Sequence, residues 1–441
     1  MKKPISFFNA LCIILVLGLI TSCKDTDKDD NTIDPFNNGS NQRNMIVVIS
    51  DLHLGPDLAY TECKNNLKAL EKLLYKIKNS ANVKELVIAG DMLDEWFVPA
   101  NIDTYNGQSQ ANYVQRIATT NKGVIDAFNA IIQEGKILVT YVPGNHDLTI
   151  TAENISLILP GINQARDISL GLGTYVPNDL PILAIEHGHR YNFFCAPDPI
   201  SNQTIAPGSI TPPGYFFTRI AALHVAQECT IAGDTIPELS LNTTGGESQT
   251  LLYAYWKLWQ WAINALPIEN KFDEELIVTN INGFSGNFSV NDLIPFQLTN
   301  GGEIDVNLFK GVQDSWSQRQ ALNNVPVNIP TLQAIKNSAS STESDNQAKT
   351  QYFLNPNSNK RIVIFGHSHD AKIIASTNTN GQKTIYANSG TWVDHNNVAP
   401  TTTNFVVITP QTSDASSKTY VKLYNYMNET VTKMSADSMR Y

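Results

Sequence analysis

Residues 45–53 read MIVVISDLH, a continuous apolar run that ends in a carboxylate and an imidazole. An uninterrupted run of aliphatic and β-branched side chains is typical of a strand buried on both faces. Three later apolar runs also end in polar residues, which are Gly-Asp, Pro-Gly-Asn and Glu-His. These runs are residues 85–89, 137–142 and 182–185. Each predicted strand therefore carries a potential ligand or catalytic group at its carboxyl end.

Helical patterns separate the predicted strands. Apolar residues recur at helical spacing between positions 67 and 77, and residues 113–132 show a second pattern of this kind. Strands alternating with helices predict an α/β protein with a mainly parallel sheet. In such sheets the functional side chains collect beyond the carboxyl ends of the strands, which is where the Asp, Asn and His residues stand. Four further strands are predicted at residues 361–365, 384–387, 405–408 and 420–424.

The middle of the chain, residues 191–360, is rich in Pro, Gly, Asn and Thr. Unstructured loops of this length are rare in compact domains, so we expect an inserted region that folds over the sheet edge as a cap. Helices are predicted near residues 216–227 and 250–265. Residues 335–349 are rich in Ser, Asn and Ala and are predicted to form a mobile connection.

The N-terminal segment does not have the pattern of a folded domain. Two lysines precede an apolar run, residues 5–20, which is short for a membrane span and typical of a signal peptide. Residues 20–23 read Ile-Thr-Ser-Cys and resemble a bacterial lipobox, which predicts a signal peptide of residues 1–22 and lipidation of Cys23. The alternative is a plain cleaved signal with an accidental cysteine. Residues 23–44 are too polar to bury much surface and are predicted to be a disordered tether.

Six of the eight histidines fall in short motifs at the predicted strand ends, whereas surface histidines would be scattered. With neighbouring Asp and Asn residues they form five blocks, which indicate one site assembled from distant segments. The blocks are Asp51-Leu52-His53, Gly90-Asp91, Gly144-Asn145-His146-Asp147, His187-Gly188-His189 and Gly366-His367-Ser368-His369.

The blocks supply oxygen and imidazole nitrogen donors but no thiolate. This donor set suits Mn, Fe, Zn or Ni better than Cu(I). It exceeds what one four-coordinate ion requires, so it predicts two divalent ions that share a carboxylate and a water. Metal binding lowers the pKa of such a water and makes it a nucleophile, and the same ions can hold the oxygens of a phosphate ester.

The five blocks, in this order, resemble the signature of the calcineurin-like metallophosphoesterase superfamily. The resemblance covers residues 44–190 and 360–408 and leaves the middle of the chain outside. It implies a four-layer α/β/β/α sandwich with a long inserted cap. It also implies metal-dependent hydrolysis of a phosphate ester or anhydride by a water that two divalent ions activate.

The resemblance assigns seven residues to the two ions. The ligands of one ion are Asp51, His53 and His369, the bridging carboxylate is Asp91, and the ligands of the second ion are Asn145, His187 and His367.

Further residues have implied or possible roles near the reaction. His146 resembles the residue that stabilises the transition state or protonates the leaving oxygen, and Asp147 is expected to orient its ring. His189 is a candidate substrate contact. Arg190 and Arg219 could bind a substrate phosphate through their planar guanidinium groups.

The predicted cap helix at residues 250–265 is rich in aromatic side chains. Trp256 and Trp259 lie three residues apart and can share one helix face. They either form the core of the cap or line a wall for a sugar, nucleoside or acyl group.

Three segments indicate which branch of the superfamily the chain resembles most. Residues 50–55, 90–96 and 388–392 are similar to the branch that includes UDP-2,3-diacylglucosamine pyrophosphohydrolases. The chain departs from that branch in its predicted export, its His-Gly-His block and its longer middle. Purple acid phosphatases carry a tyrosine three residues after the bridging aspartate, where this chain has Asp94, so a tyrosinate-coloured iron site is not expected.

Charge and cysteine content constrain the partners. The formal net charge is −10, which argues against a nucleic-acid partner. A small phosphorylated substrate is compatible with it, because a bound metal reverses the local field. If the chain is exported, Cys195 and Cys229 could form a disulfide and leave Cys63 free.

These observations predict a phosphoesterase domain in two parts, residues 45–190 and 361–441, around the inserted cap. The predicted lipid anchor places it on the cell envelope, at the outer membrane, facing the periplasm or the cell surface. One alternative is a surface lipoprotein of the same fold that binds metal and ligand without catalysis, although the retained His146 favours an enzyme. Another is a two-metal hydrolase that acts on an amide or a phosphonate.

Overall fold

The structure is a computed structural model that describes residues 34–167, 171–229, 231–396, 398–414 and 416–441. The predicted signal peptide, Cys23 and the first part of the predicted tether lie outside the described residues. Within the described ranges, no helix is both long enough and apolar enough to span a membrane.

The described ranges contain fifteen strands and ten α-helices. The strands are β1 (Met45–Ile49), β2 (Val83–Ala89), β3 (Leu138–Val142), β4 (Asn163–Gln164), β5 (Leu183–Ile185), β6 (Ile277–Ile281), β7 (Phe284–Phe288), β8 (Phe296–Gln297), β9 (Ile304–Asp305), β10 (Ile362–Phe365), β11 (Lys372–Thr377), β12 (Lys383–Asn388), β13 (Asn404–Thr409), β14 (Thr419–Met427) and β15 (Thr430–Met439). The helices are α1 (Leu67–Lys78), α2 (Gln110–Thr120), α3 (Lys122–Glu134), α4 (Ala152–Ile158), α5 (Pro213–Ala226), α6 (Gly246–Ala265), α7 (Val290–Leu293), α8 (Val312–Leu322), α9 (Thr331–Asn337) and α10 (Glu343–Ala348).

The larger sheet has seven strands in the order β15-β14-β13-β1-β2-β3-β4. Strands β1 to β4 run parallel, and β13 to β15 are antiparallel to their neighbours. At its centre Val48 of β1 pairs with Val87 on one side and with Val406 on the other. Because β1, β2 and β3 are parallel, the residues that follow their carboxyl ends come together at one edge of the sheet.

A second sheet has the order β11-β12-β10-β5, and its strand β10 runs parallel to both neighbours. The two sheets pack face to face, and their contact buries Ile46 and Val48 of β1 against Ile185 and Ile364. The alternate side chains of β1, such as Val47, face the opposite way and pack under the helices. The side chains of β1 alternate between the two faces of the sheet, but the sequence shows no alternation of apolar and polar residues because both faces are apolar.

Helices complete the outer layers. On the larger sheet, α1 and α3 pack together and bury Leu73, Leu74 and Phe128 in the same cluster as Val47. On the smaller sheet, Phe353 packs with Phe365 just after α10. The predicted four-layer α/β/β/α architecture is therefore confirmed.

The prediction of a mobile connection at residues 335–349 is wrong. The segment contains α10 and contributes to the helical layer over the smaller sheet, where Ala348 is buried. Its polar side chains predicted exposure to solvent, but Gln347 is buried and accepts a hydrogen bond from the buried Gln351, just after the segment. The amide nitrogen of Gln351 also donates to the backbone oxygen of Val327, and its amide oxygen accepts from the backbone N–H of Val327. Buried polar side chains that are satisfied in this way are compatible with a packed helix.

The aromatic residues of α6 belong to the core of the cap. Trp256 and Trp259 are 0% and 1% exposed, and Trp259 packs against Phe194 and Phe217. Of the two alternatives for these tryptophans, the structure supports the core and not the ligand wall.

The suggested disulfide is wrong, because Cys63, Cys195 and Cys229 are all free thiols. Cys195 lies beside the first turn of α5, where a Cβ atom added to Gly214 would be 3.3 Å from its Sγ. Cys229 follows the far end of the same 14-residue helix. A helix of that length separates its ends by roughly 20 Å, far beyond disulfide reach.

Candidate metal centre and catalytic site

Five strand ends converge at one edge of the two sheets. The residues after β1, β2 and β3 are joined there by those after β5 and β10, so blocks that are up to 300 residues apart in sequence become neighbours. The convergence brings together Asp51, Asp91, Asn145, His187 and His367, all of which the sequence predicts to be ligands.

A first cluster of donors consists of Asp51, His53 and His369. The Nε2 atom of His369 lies 3.1 Å from Oδ1 of Asp51 and 3.2 Å from Nε2 of His53. Two ligand atoms at right angles on one ion, each about 2.1 Å from it, lie roughly 3 Å apart. The spacing of the three donors therefore fits a single ion.

A second cluster lies beside the first and centres on His187. Its Nε2 atom is 3.1 Å from Oδ2 of Asp91 and 3.0 Å from Oδ1 of Asn145. The ring of His367 is 5.1 Å from that of His187, centroid to centroid. Oδ2 of Asp91 also lies 3.8 Å from Nε2 of His53 in the first cluster, so Asp91 occupies the position that a bridging carboxylate requires.

The hydrogen bonds of two histidines show that they can bind metal. Nδ1 of His187 faces the carbonyl oxygen of Ala89 at 2.9 Å, and Nδ1 of His53 faces Oδ2 of Asp94 at 2.9 Å. Both partners accept hydrogen bonds, so the proton of each neutral ring stands on Nδ1 and the lone pair on Nε2 faces the cluster. This arrangement of a ligand with a supporting acceptor is common at metal sites, and the residues present fit divalent ions.

The backbone at the site is strained. Five site residues have positive φ angles, with values of 54° for Asp51, 46° for His53, 50° for Asp91, 70° for His367 and 57° for His369. Each such conformation costs about 1–3 kcal/mol in a residue other than glycine, and it persists where the surrounding structure imposes it. Strain concentrated at these blocks indicates that the positions of their side chains matter for function.

Two glycines in the blocks permit the close approach of the strands. A Cβ atom on Gly144 would lie 2.1 Å from Oδ1 of Asp91, and one on Gly366 would lie 2.6 Å from Oδ2 of Asp51. Any side chain at either position would therefore displace a candidate metal ligand.

The electrostatics of the site favour positive charge. Burial raises the pKa of Asp91, but His187 and His146 outweigh this effect and hold it well below its ordinary value. Burial lowers the pKa of His187, but Asp91 and Asp51 outweigh this and raise it to about 9. A buried site that keeps Asp91 ionised also attracts divalent cations.

His146 is held beside the two clusters by Asp94. Its Nδ1 atom lies 2.8 Å from Oδ1 of Asp94, and its ring stacks on Trp96 with centroids 5.0 Å apart. The backbone N–H of His146 donates to Oδ1 of Asp91. Since the other oxygen of Asp94 contacts His53, one carboxylate orients both a candidate metal ligand and the candidate catalytic imidazole.

The prediction that Asp147 orients His146 is wrong. The carboxylate of Asp147 accepts hydrogen bonds from the backbone N–H groups of Gly144, Met92 and Leu93 at 2.7, 2.8 and 3.2 Å. These bonds tie the loop after β2 to the loop after β3, so Asp147 is structural. The spacing of Asp94 three residues after Asp91 was visible in the sequence, but its link to His146 required the fold.

Two matched substitutions separate these roles. We expect Asp94→Asn to lower kcat by about 10²-fold, because His146 loses the carboxylate that orients its ring and stabilises its imidazolium form. We expect Asp147→Asn to cost about 1–3 kcal/mol of stability, since charge-assisted bonds to backbone N–H groups are weakened. Thermal unfolding and steady-state kinetics of both variants test this. A normal kcat in a folded Asp94→Asn protein would contradict the role of Asp94.

The structure gives no support to the two predicted substrate contacts. Arg190 pairs with Glu186 at 3.0 Å and with Asp167 at 3.2 Å, so its charge is already compensated. His189 is 2% exposed and lies beside the second cluster, with its ring 5.3 Å from that of His187. Neither residue is among the described residues that line the cavity at the clusters.

Arg219, the other arginine considered for phosphate, is also structural. It is fully buried, and its guanidinium donates to the carbonyl oxygens of Val98, Pro99 and Ala100 in the loop after β2. It therefore joins α5 of the cap to the loop that follows the Asp91 block.

A cavity of about 130 Å³ opens over the two clusters. Its floor consists of block residues, and its walls come largely from the cap. The floor is Asp91, Asn145, His146, His367 and His369. The apolar wall includes Trp96, Phe194, Phe217, Leu258 and Ala262, and the polar wall includes Asn192, Ser338, Ser340, Glu343 and Ser344. Sequence reasoning missed the cap residues, since no local pattern shows which of them face the site.

Glu62 is a further acidic residue that the sequence did not single out. Its Oε2 atom lies 3.4 Å from Nδ1 of His53, and it groups with His53, Asp94 and His146. Burial raises the pKa of its carboxyl well above the ordinary value, and Asp94 adds to the effect. No spacing or motif connects Glu62 to the blocks, because it belongs to the loop between β1 and α1.

Comparison with known proteins gives one match that bears on the site. Residues 45–215 match the family model described as calcineurin-like phosphoesterase. No curated protein matches the chain. Among solved structures, the chain is similar to a double mutant of Vps29 from Entamoeba histolytica, at 8% identity and a TM-score of 0.29, with 90% of this chain and 99% of that chain covered. A single mutant of the same protein gives a TM-score of 0.28 at the same identity and coverage. The matched range contains the first four of the five blocks.

Proposed function

Because the chain carries a calcineurin-like phosphoesterase domain and is thus a hydrolase of the phosphoesterase type, we propose that it hydrolyses a phosphate ester or anhydride with a water activated by two divalent ions. One observation carries the proposal. Two groups of candidate ligands share Asp51 and lie side by side, and one member of each, His369 and Asp91, lines the cavity together with His146.

The two ions are assigned to the two clusters. Asp51, His53 and His369 would hold one ion, with Asp91 shared. Asn145, His187 and His367 would complete the second site. Mn, Fe, Zn or Ni suits these donors, and the bound ions supply an ionised water and positive charge for the phosphate oxygens.

The residues of the chain itself position and protonate the reacting groups. Asp94 orients the His146 ring through Nδ1, and the ring lines the cavity, where it would give a proton to the leaving oxygen. Burial lowers the pKa of His146, but Asp94 and Asp91 outweigh this and raise it to about 10. The imidazolium that a general acid requires is therefore favoured at neutral pH.

A substrate screen tests the proposal. Purified protein without its N-terminal segment would be loaded with Mn²⁺ and assayed with p-nitrophenyl phosphate, bis-p-nitrophenyl phosphate and pyrophosphate. We expect hydrolysis of at least one class, loss of activity with a chelator, and recovery on adding Mn²⁺. Two bound ions per chain with no hydrolysis of any phosphate ester or anhydride would instead favour the metal-binding lipoprotein without catalysis.

We also propose that the enzyme acts outside the cytoplasm, attached to the cell envelope by a lipid on Cys23. The support is the charged start, the short apolar run and the lipobox-like residues 20–23. Metabolic labelling with a radioactive fatty acid should mark the full-length chain, and Cys23→Ser should remove the label. Equal labelling of the two chains would contradict the anchor.

Within the superfamily, we propose that the chain is nearest to the branch of UDP-2,3-diacylglucosamine pyrophosphohydrolases. The support is the motif detail of residues 50–55, 90–96 and 388–392. The third of these segments contacts the site directly, because the Trp392 N–H and the Thr391 hydroxyl both donate to the backbone oxygen of Asp51. The proposal concerns kinship and does not extend to the substrate of that branch.

A further inference from the structure

The cavity over the two clusters contains no lysine or arginine among its described lining residues. Apart from the histidines of the floor, the positive charge in the proposed enzyme comes from the two ions, which face the scissile phosphate. A substrate with a second anionic group would place that group against the cap walls. No side chain there could neutralise it, and an uncompensated charge in a partly buried cavity is costly.

The buried arginines nearest to the cap walls are committed elsewhere. The guanidinium of Arg319 donates to the carbonyl oxygens of Phe193 and Ala196 and lies 3.6 Å from Asp198. Arg190 and Arg219 are engaged with carboxylates and backbone oxygens. A small rearrangement of a side chain therefore does not bring a cation into the cavity.

The polar residues that line the cavity offer both hydrogen-bond donors and acceptors, since burial raises the pKa of Glu343 to about 8 and favours its neutral carboxyl. Glu343 is 7% exposed, and its Oε2 accepts a hydrogen bond from the side chain of Asn192, while its Oε1 has no partner among the described residues. Ser338, Ser340 and Ser344 stand on the same wall. Hydroxyl groups of a ligand can bond both to serine hydroxyls and to a carboxyl oxygen.

Other residues that line the cavity are apolar. They include Phe194, Phe217, Leu258 and Ala262, and an apolar or ring-shaped face of a ligand would pack against them. The polar and apolar lining residues together match a molecule that carries both hydroxyl groups and carbon surface.

From these walls we infer that the substrate is a phosphate ester of a neutral, hydroxylated alcohol with an apolar face, such as a sugar or a nucleoside, and not a compound with a second anionic group. The inference rests on the proposed function, and it narrows the ester or anhydride to an ester with an uncharged leaving group. Glu343 and the three serines become the residues that select the leaving group.

Matched pairs of substrates test the inference directly. Glucose 6-phosphate and glucose 1,6-bisphosphate differ only by a second phosphate, and phenyl phosphate and 4-carboxyphenyl phosphate differ only by a carboxylate. With the Mn²⁺-loaded protein, we expect kcat/KM to be about 10-fold or more lower for the doubly anionic member of each pair. A preference for the doubly anionic members would overturn the inference and leave the proposed function intact. Hydrolysis of pyrophosphate but of no phosphate ester would overturn the inference alone, and hydrolysis of neither esters nor anhydrides would remove both proposals.

Two substitutions locate the selectivity in the cap. Ser340→Arg should raise kcat/KM for the doubly anionic esters by about 10-fold, and Ser340→Gln, which adds bulk without charge, should not. Glu343→Ala should lower kcat/KM for glucose 6-phosphate by about 10-fold more than it lowers kcat/KM for phenyl phosphate, which has no hydroxyl group for this carboxyl to bind. A cooperative thermal unfolding transition shows separately that the variant is folded. Equal effects of Glu343→Ala on both esters, together with no gain from Ser340→Arg, would show that these walls do not select the leaving group.

Discussion

The substitution Asp91→Ala is expected to remove at least one metal ion from each chain and to lower kcat/KM by about 10⁴-fold or more. Asp91 lies between the clusters, with Oδ2 3.1 Å from His187 and 3.8 Å from His53. Removing it takes a shared ligand from both proposed ions at once. It also leaves the imidazoles of His187 and His53 without the carboxylate that lies between them. Metal analysis of the purified variant, alongside steady-state kinetics, measures both effects.

A neighbouring carboxyl serves as the control for Asp91. Glu95 is also buried, but its carboxyl bonds to Thr149, Tyr105 and Gln110 and does not face the clusters. Glu95→Gln should therefore keep both ions and most of the activity. An Asp91→Ala protein that retains two ions and normal turnover would contradict the bridging role.

The substitution His146→Ala is expected to leave the metal content unchanged and to lower kcat by about 10²–10⁴-fold, the usual range for loss of a general acid. The ring is oriented by Asp94 and lines the cavity beside the clusters, yet it belongs to neither group of candidate ligands that contains Asp51. Loss of the proton donor should matter most for poor leaving groups. The defect should accordingly be smaller for p-nitrophenyl phosphate than for phenyl phosphate, since nitrophenolate leaves without protonation.

A histidine outside the site provides the matched control for His146. His224 lies in α5, where its Nδ1 faces the carbonyl oxygen of Pro267. We expect His224→Ala to retain normal kcat. Wild-type kcat in His146→Ala with both substrates would show that this residue does not take part in the reaction.

The buried strands of the two sheets could be predicted because their residues form short, continuous apolar runs in the sequence. Residues 45–49 and 362–365 are apolar without interruption, since each strand packs on both faces. The helical pattern at residues 113–132 was found, but it is two helices that meet at Asn121, whose side chain bonds back to Ile117 and across to Gly55.

Two edge or near-edge strands were not predicted. In β15 most side chains are exposed or half-buried, and in β11 the same holds for all six residues. Strands of this kind lack a clear hydrophobic signal, because pairing with a neighbour and not burial stabilises them.

The candidate ligands could be predicted because each follows a buried strand and the strands are parallel. The residues that support the ligands and His146 could not be predicted. Contacts such as that of Asp94 with His146 or of Glu62 with His53 connect separate loops, and no sequence spacing indicates them. Asp147 was assigned to His146 since it is the adjacent carboxylate in the chain, whereas the fold turns it towards the backbone. The prediction that Arg190 and Arg219 bind a substrate phosphate found no support, because their guanidinium groups bond to carboxylates and backbone oxygens. The sequence does not show these contacts.

The most direct measurement is a crystal structure of the protein grown with Mn²⁺, recorded at a wavelength where manganese scatters anomalously. Two anomalous peaks roughly 3.5–4 Å apart are predicted, one among Asp51, His53 and His369 and the other among Asn145, His187 and His367, with Asp91 contacting both. The absence of anomalous density at these side chains, or manganese bound at other residues alone, would contradict the two-metal centre.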